Sequence, residues 1–193
     1  MTRKKLFFTS LFLISAITIS TFLSSCSTQS RHQSQVKYMD SLATQLDQAA
    51  LNLKKVDTVV IRKNFNTLLK NLSLIQKNYK DTMDSPTAIF LSGYRETGRA
   101  FEIFLGRDTL LQNQISKSIK QLKSLEHDVK NNLIDENKVQ SYCANECSEA
   151  AELLEASSVS IAIINEKLPM FDIQNPKVEE LVKKYSSSGD SKK

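Results

Sequence analysis

The chain has 193 residues, 40% of them hydrophobic and 24% charged, with no tryptophan and a formal net charge of +5. Without Arg3, Lys4 and Lys5, 23 basic residues face 21 acidic ones, so the remainder is close to neutral. That balance argues against nucleic acid as a partner, because a nucleic-acid binder shows a basic face or stripe. Three cysteines and two histidines are sparse for a metal framework or a disulfide scaffold.

Residues 1–26 form the first recognisable element. Thr2-Arg3-Lys4-Lys5 supplies positive charge, Leu6 to Phe22 is a largely apolar run without charges, and Leu23-Ser24-Ser25-Cys26 is a small-residue stretch ending in cysteine. The apolar run of 17 residues is short for a spanning helix of ~20. Charged, apolar and small-residue segments in that order suit a translocon and a peptidase. The segment resembles the signal peptide and lipobox of bacterial lipoproteins. The resemblance implies cleavage between Ser25 and Cys26, a diacylglycerol on the Cys26 thiol, and attachment to a membrane through Cys26. Because Ser27 stands where an enteric retention signal would have Asp, it also implies outer-membrane sorting in a cell with two membranes. In a cell with one, the anchor lies on the outer face of the cytoplasmic membrane. No family is recognised for the rest of the chain.

Residues 1–25 are thus expected to be a signal peptide and 26–34 a polar, lipid-anchored tether. The 168 residues that follow Ser25 suffice for one domain. From 35 to 185 the periodicity is helical. Met39, Leu42, Leu46, Ala49, Leu53 and Val56 mark helix 1, and Ile61, Phe65, Leu68, Leu72, Ile75 and Tyr79 mark helix 2. The phase slips near Asp57, a candidate N-cap, which suggests a hairpin. Without Gly or Pro there, one long helix remains the alternative.

Ser85 as N-cap and Pro86 at the first helical position open helix 3. Phe90, Tyr94, Thr97, Phe101 and Phe104 form its seam, and Gly106 suits its end. Asp108 could cap helix 4, with Leu111, Ile115, Ser118, Leu122, Leu125 and Val129 inward. After a polar turn at 130–137, helix 5 carries Gln140, Cys143, Cys147, Ala150, Leu154, Ser157, Ile161, Ile164 and Leu168. Pro169 should end it. Asn175-Pro176 opens a short helix 6, and 186–193 is composed like a disordered tail. The expected fold is all-α, an antiparallel up-and-down bundle of about five helices plus a short C-terminal one.

Candidate site residues are few. Cys143 and Cys147 sit four apart on one seam, where either a disulfide or two reduced core thiols is open. His32 lies in the tether and His127 off the helix 4 seam, so no metal is expected. Lys120, Lys123, His127 and Lys130 make one basic stripe, and Glu146, Glu149, Glu152 and Glu155 an acidic one, both read as solvated faces. Helix 3 holds two interior glycines, each costing ~1 kcal/mol relative to alanine. Gly93 and Thr97, beside the charged row Arg95, Arg99 and Glu102, are the candidate partner surface. No nucleophile elbow, phosphate loop or H-E-x-x-H helix occurs, and no cofactor or catalytic residue is expected. The expectation is a non-catalytic interaction or accessory lipoprotein of the cell envelope, with an unidentified envelope protein as partner. The alternative is a bundle holding a small apolar ligand, lined by Phe90, Phe101, Phe104 and the helix 3 glycines.

Overall fold

The computed structural model describes residues 32–79 and 83–190, so Cys26, the signal segment and the last three residues of the tail lie outside them. Among the described residues all regular structure is α-helical, in four helices: α1 (Gln33–Lys54), α2 (Thr58–Asn78), α3 (Ser85–Lys130) and α4 (Glu136–Asp190). The all-α bundle is as expected, whereas the count is four helices and not five plus a short one. Both differences arise from helices that continue where the sequence suggested a stop.

α3 runs through Gly106 and Asp108 for 46 residues. The seam Phe101, Phe104, Asp108, Leu111, Ile115 keeps alternating steps of four and three, so the two expected helices share one phase. A single glycine costs ~1 kcal/mol, which one buried leucine or phenylalanine offsets at ~1.5–3 kcal/mol. The first cap also differs. Asp84, not Ser85, caps α3, its carboxylate accepting from Thr87 N at 2.9 Å, with Pro86 inside the first turn.

α4 continues through Pro169 and Pro176. An interior proline removes one backbone bond and costs ~3 kcal/mol or more. Both prolines are exposed and seven residues apart, as are the carbonyls they would orphan, at Asn165 and Asp172, which water can satisfy. On the opposite face the seam proceeds unbroken through Leu168, Phe171, Asn175, Val178, Val182 and Tyr185, all buried or half-buried. Burying several such side chains at ~1.5–3 kcal/mol each outweighs two outward prolines. One seam position near the start also moves: Val139 is buried and Gln140 exposed.

The chain does break between α1 and α2, and Asp57 caps α2 by accepting from Val59 N and Val60 N at 3.0 Å. The break is not a hairpin. α1 and α2 do not pack on each other; each packs on α3 and α4. The contacts Met39–Cys143 and Asn71–Asn175 each join residues 104 apart, so the two short helices lie end to end along α4 at one constant offset. Leu68 at Gly98 and Asp47 at Lys123 show them antiparallel to α3. The molecule is therefore a three-rod, up-down-up bundle. Its first rod, Gln33 to Asn78, equals α3 in length, ~69 Å at 1.5 Å per residue. Asn132, at φ 54°, supplies the left-handed residue of the α3–α4 turn.

The glycines of α3 differ in their surroundings. A Cβ on Gly98 would stand 2.6 Å from Cδ2 of the buried Leu68, whereas one on Gly93 would meet only the Gln174 amide at 3.4 Å. Thermal melts should therefore order the variants. Gly93→Ala should match or exceed the unmodified chain by up to ~1 kcal/mol, and Gly98→Ala should fall ~1–3 kcal/mol below Gly93→Ala. Equal melting points would contradict the close packing of α3 on α2.

Candidate functional site

The candidate partner surface in α3 divides in two. Thr97 is fully buried, its hydroxyl 3.2 Å from both Gly93 O and Gln174 Oε1, and Gly93 faces the same glutamine. Those two residues serve the α3–α4 contact. Arg95, Arg99 and Glu102 are exposed, and they remain the outward part of that surface. The glycine-rich flank and the charged row thus point in different directions.

Beside Thr97 lies a polar layer that helical periodicity alone does not reveal. Tyr94 Oη donates to Asn175 Oδ1 at 2.6 Å, and Asn71 Nδ2 donates to the same oxygen at 3.0 Å. Asn175 Nδ2 donates to Glu179 Oε1 at 2.8 Å. Phe171 stacks on Tyr94 at 6.1 Å and packs on Phe101 at 6.0 Å. Three rods meet here, and burial pushes the Tyr94 hydroxyl pKa up. Asn71 was missed because it lies one residue before Leu72 on the α2 seam; Asn175 was read as a cap because a proline follows it. Phe101, expected to line a ligand site, is instead consumed by this packing.

Cys143 and Cys147 are free and buried. Cys143 Sγ lies 3.9 Å from Met39 Sδ, in the contact that joins α1 to α4. Consecutive turns of one helix aim the two Cβ atoms awkwardly for a bridge. Burial raises both thiol pKa values, and for Cys147 the neighbouring Cys143 and Glu146 raise it further. They are poor nucleophiles for that reason. His127 is exposed beside Asp128. Lys123 and Lys130 face Asp47 and Glu126, and Glu146 accepts from Gln121 at 3.4 Å, so part of each charged stripe is spent within the bundle.

A groove of about 910 Å³ opens between α3 and α4, on the side away from the first rod. Phe104 and Leu111 form its floor, and Ile103, Leu110, Val159 and Ile163 stand along it, 46%, 59%, 49% and 40% exposed. Arg99 lines it as well, which links the outward charged row to the groove. Sequence reading missed it because these residues form a second, outer apolar stripe beside the core seam. Among the described residues no helix is long and apolar enough to cross a membrane, and no three His, Cys, Asp or Glu side chains cluster to hold a metal. Compared with protein-family models, curated proteins and solved structures, the chain matches none.

The buried acids set the expected pH response. Tyr94, Cys143 and Cys147 have pKa values raised above the ordinary 10.0 and 9.0, so the unfolded chain releases these protons first as pH rises. Stability held below pH 9 should therefore decline above it, most simply seen in chemical denaturation from pH 7 to 11. A thiol reagent at neutral pH should leave Cys143 and Cys147 untouched in the folded chain and label both in denaturant without reductant. An unreduced chain lacking these two thiols in denaturant would indicate a bridge.

Proposed function

We propose that this chain is a membrane-tethered bacterial lipoprotein whose helical bundle is a non-catalytic interaction or accessory module of the cell envelope. The observation that carries the reading is the segment Arg3-Lys4-Lys5, Leu6–Phe22, Leu23-Ser24-Ser25-Cys26, followed within a few residues by a folded domain. The bundle adds a geometric consequence. Only Ser27 to His32 separate Cys26 from α1, and six residues span at most ~20 Å. On this reading the end carrying the α1 N-terminus and the α3–α4 turn stays near the lipid surface, and the Tyr79–Tyr185 end stands ~70 Å along the rod from it. Two acyl chains suffice for stable anchoring, at ~0.8 kcal/mol per buried methylene.

The interaction role is supported by the exposed apolar groove and by the outward row Arg95, Arg99 and Glu102, of which Arg99 borders that groove. The same groove gives the second reading, a carrier of a small apolar ligand, its one favourable observation: Phe104 lies in the floor.

Cys26→Ser tests the anchor. The variant should accumulate as an uncleaved precursor about 2–3 kDa larger than the processed chain, by the mass of the signal segment, and should take up no fatty-acid label. Normal processing and labelling of Cys26→Ser would end the lipoprotein reading. Pull-down from detergent-solubilised envelopes then separates an accessory subunit, which retains a protein partner, from a carrier, which retains a lipid.

A further inference from the structure

Outside the core seams, α3 and α4 each carry a second apolar stripe, and the two stripes meet in the groove. On α3 the outer positions are Glu96, Ile103, Leu110 and Lys117, seven residues apart, so they face one way. All four are exposed. On α4 the corresponding positions are Ala156, Val159, Ile163 and Glu166. In the single chain Ile103, Leu110, Val159 and Ile163 still leave 46%, 59%, 49% and 40% of their surface exposed. Between Ile103 and Leu110 stands Gly106, whose added Cβ would meet nothing within 4 Å, so no contact inside the chain accounts for a glycine in mid-helix.

We infer that this face binds a second copy of the chain, α3 against α3 and α4 against α4, antiparallel about a two-fold axis that runs between the copies level with the Gly106-Arg107 peptide bond. In an antiparallel two-fold pair, residues equally far before and after the axis face each other. Level with that bond, Ile103 meets the second copy's Leu110 and Glu96 meets its Lys117, so apolar pairs flank the axis and opposite charges pair at the rim, with Arg107 of each copy at the axis itself. On α4 the matching centre is Ile161, which sets Val159 against the second copy's Ile163.

The two centres lie at one height along the bundle. Gln121 contacts Glu146 at 3.4 Å, and Gly93 approaches Gln174 at 3.4 Å. Halfway between these contacts α3 has reached Arg107 and α4 Ser160. A single axis therefore serves both helices. Gly106 lies level with this axis and presents no side chain there, next to Arg107, which lines the groove. The face from Glu96 to Lys117 is ~32 Å long and two helices, or ~20 Å, wide, a footprint of the order of the ~800 Å² per partner in specific dimers.

The inference depends on the folded bundle and not on acylation, so Cys26→Ser chains should dimerise too, which separates its failure from failure of the lipoprotein reading. The full chain in mild detergent should sediment as a dimer at micromolar concentration. Leu110→Asp should yield monomer with unchanged helix content, Leu110 being 59% exposed. Glu96→Lys or Lys117→Glu alone should weaken dimerisation roughly tenfold, and the two together should restore it. In the Cys26→Ser background, Gly106→Cys should form an intermolecular disulfide that Ser141→Cys, exposed and far along the rod, does not. A monomeric unmodified chain, a dimer indifferent to Leu110→Asp, a charge swap that fails to restore, or a Gly106→Cys dimer that does not cross-link would each overturn the arrangement.

Discussion

Helix α4 needs its inward face more than it needs a perfect backbone, and the rest of the bundle follows from that balance. From Val139 to Tyr185 its seam steps by three or four residues without an omission, and every seam side chain is buried or half-buried. A stop at Pro169 would remove Phe171, Asn175 and Val178 from the interface with α2 and α3. Placing both prolines outward confines their cost to carbonyls that water reaches. The resulting rod is long enough to template two shorter helices along one side. The constant offset of 104 residues at Met39–Cys143 and Asn71–Asn175 means that the break at Lys55-Val56-Asp57 advances the chain about as far as a helix would.

The polar layer around Asn175 complements this seam. Leucine and isoleucine rows tolerate sliding by a heptad, because one apolar layer resembles the next. Asn71, Tyr94 and Asn175 do not, since a slip would strand a buried amide or hydroxyl at a cost of ~1–3 kcal/mol for each lost partner. Residues from three rods share one acceptor oxygen, so the layer specifies how the rods are staggered as well as which faces meet. Gly98 acts at the same level through shape, admitting Leu68 where a side chain would hold α2 away.

A rod of this kind has little interior to devote to chemistry. Three helices enclose one narrow core, and here it is filled by seam side chains, two inert thiols and the asparagine layer. What the architecture offers is surface: two flanks along the first rod, and the α3–α4 groove on the far side. Under the proposed lipid anchor at Cys26, such a surface would be presented in a restricted orientation relative to the lipid.

By itself the sequence determined the helical class, because alternating steps of three and four fix which face of each segment is apolar irrespective of what covers it. It also determined the phase slip near Asp57 and the inward placement of Leu122, Phe101, Cys143 and Ile164, for the same local reason. Where helices end was decided by tertiary structure: Gly106, Pro169 and Pro176 are local stop signals whose cost is a few kcal/mol, and only packing along a shared ~69 Å axis supplies more than that. Likewise, whether the Asp57 break turns the chain back or lets it run on depends on the partner surfaces of α3 and α4, which no window of the sequence contains. The roles of Gly93, Thr97, Asn71 and Asn175 are decided there too, since a glycine or an amide reads as surface or core only once its neighbour from another helix is known.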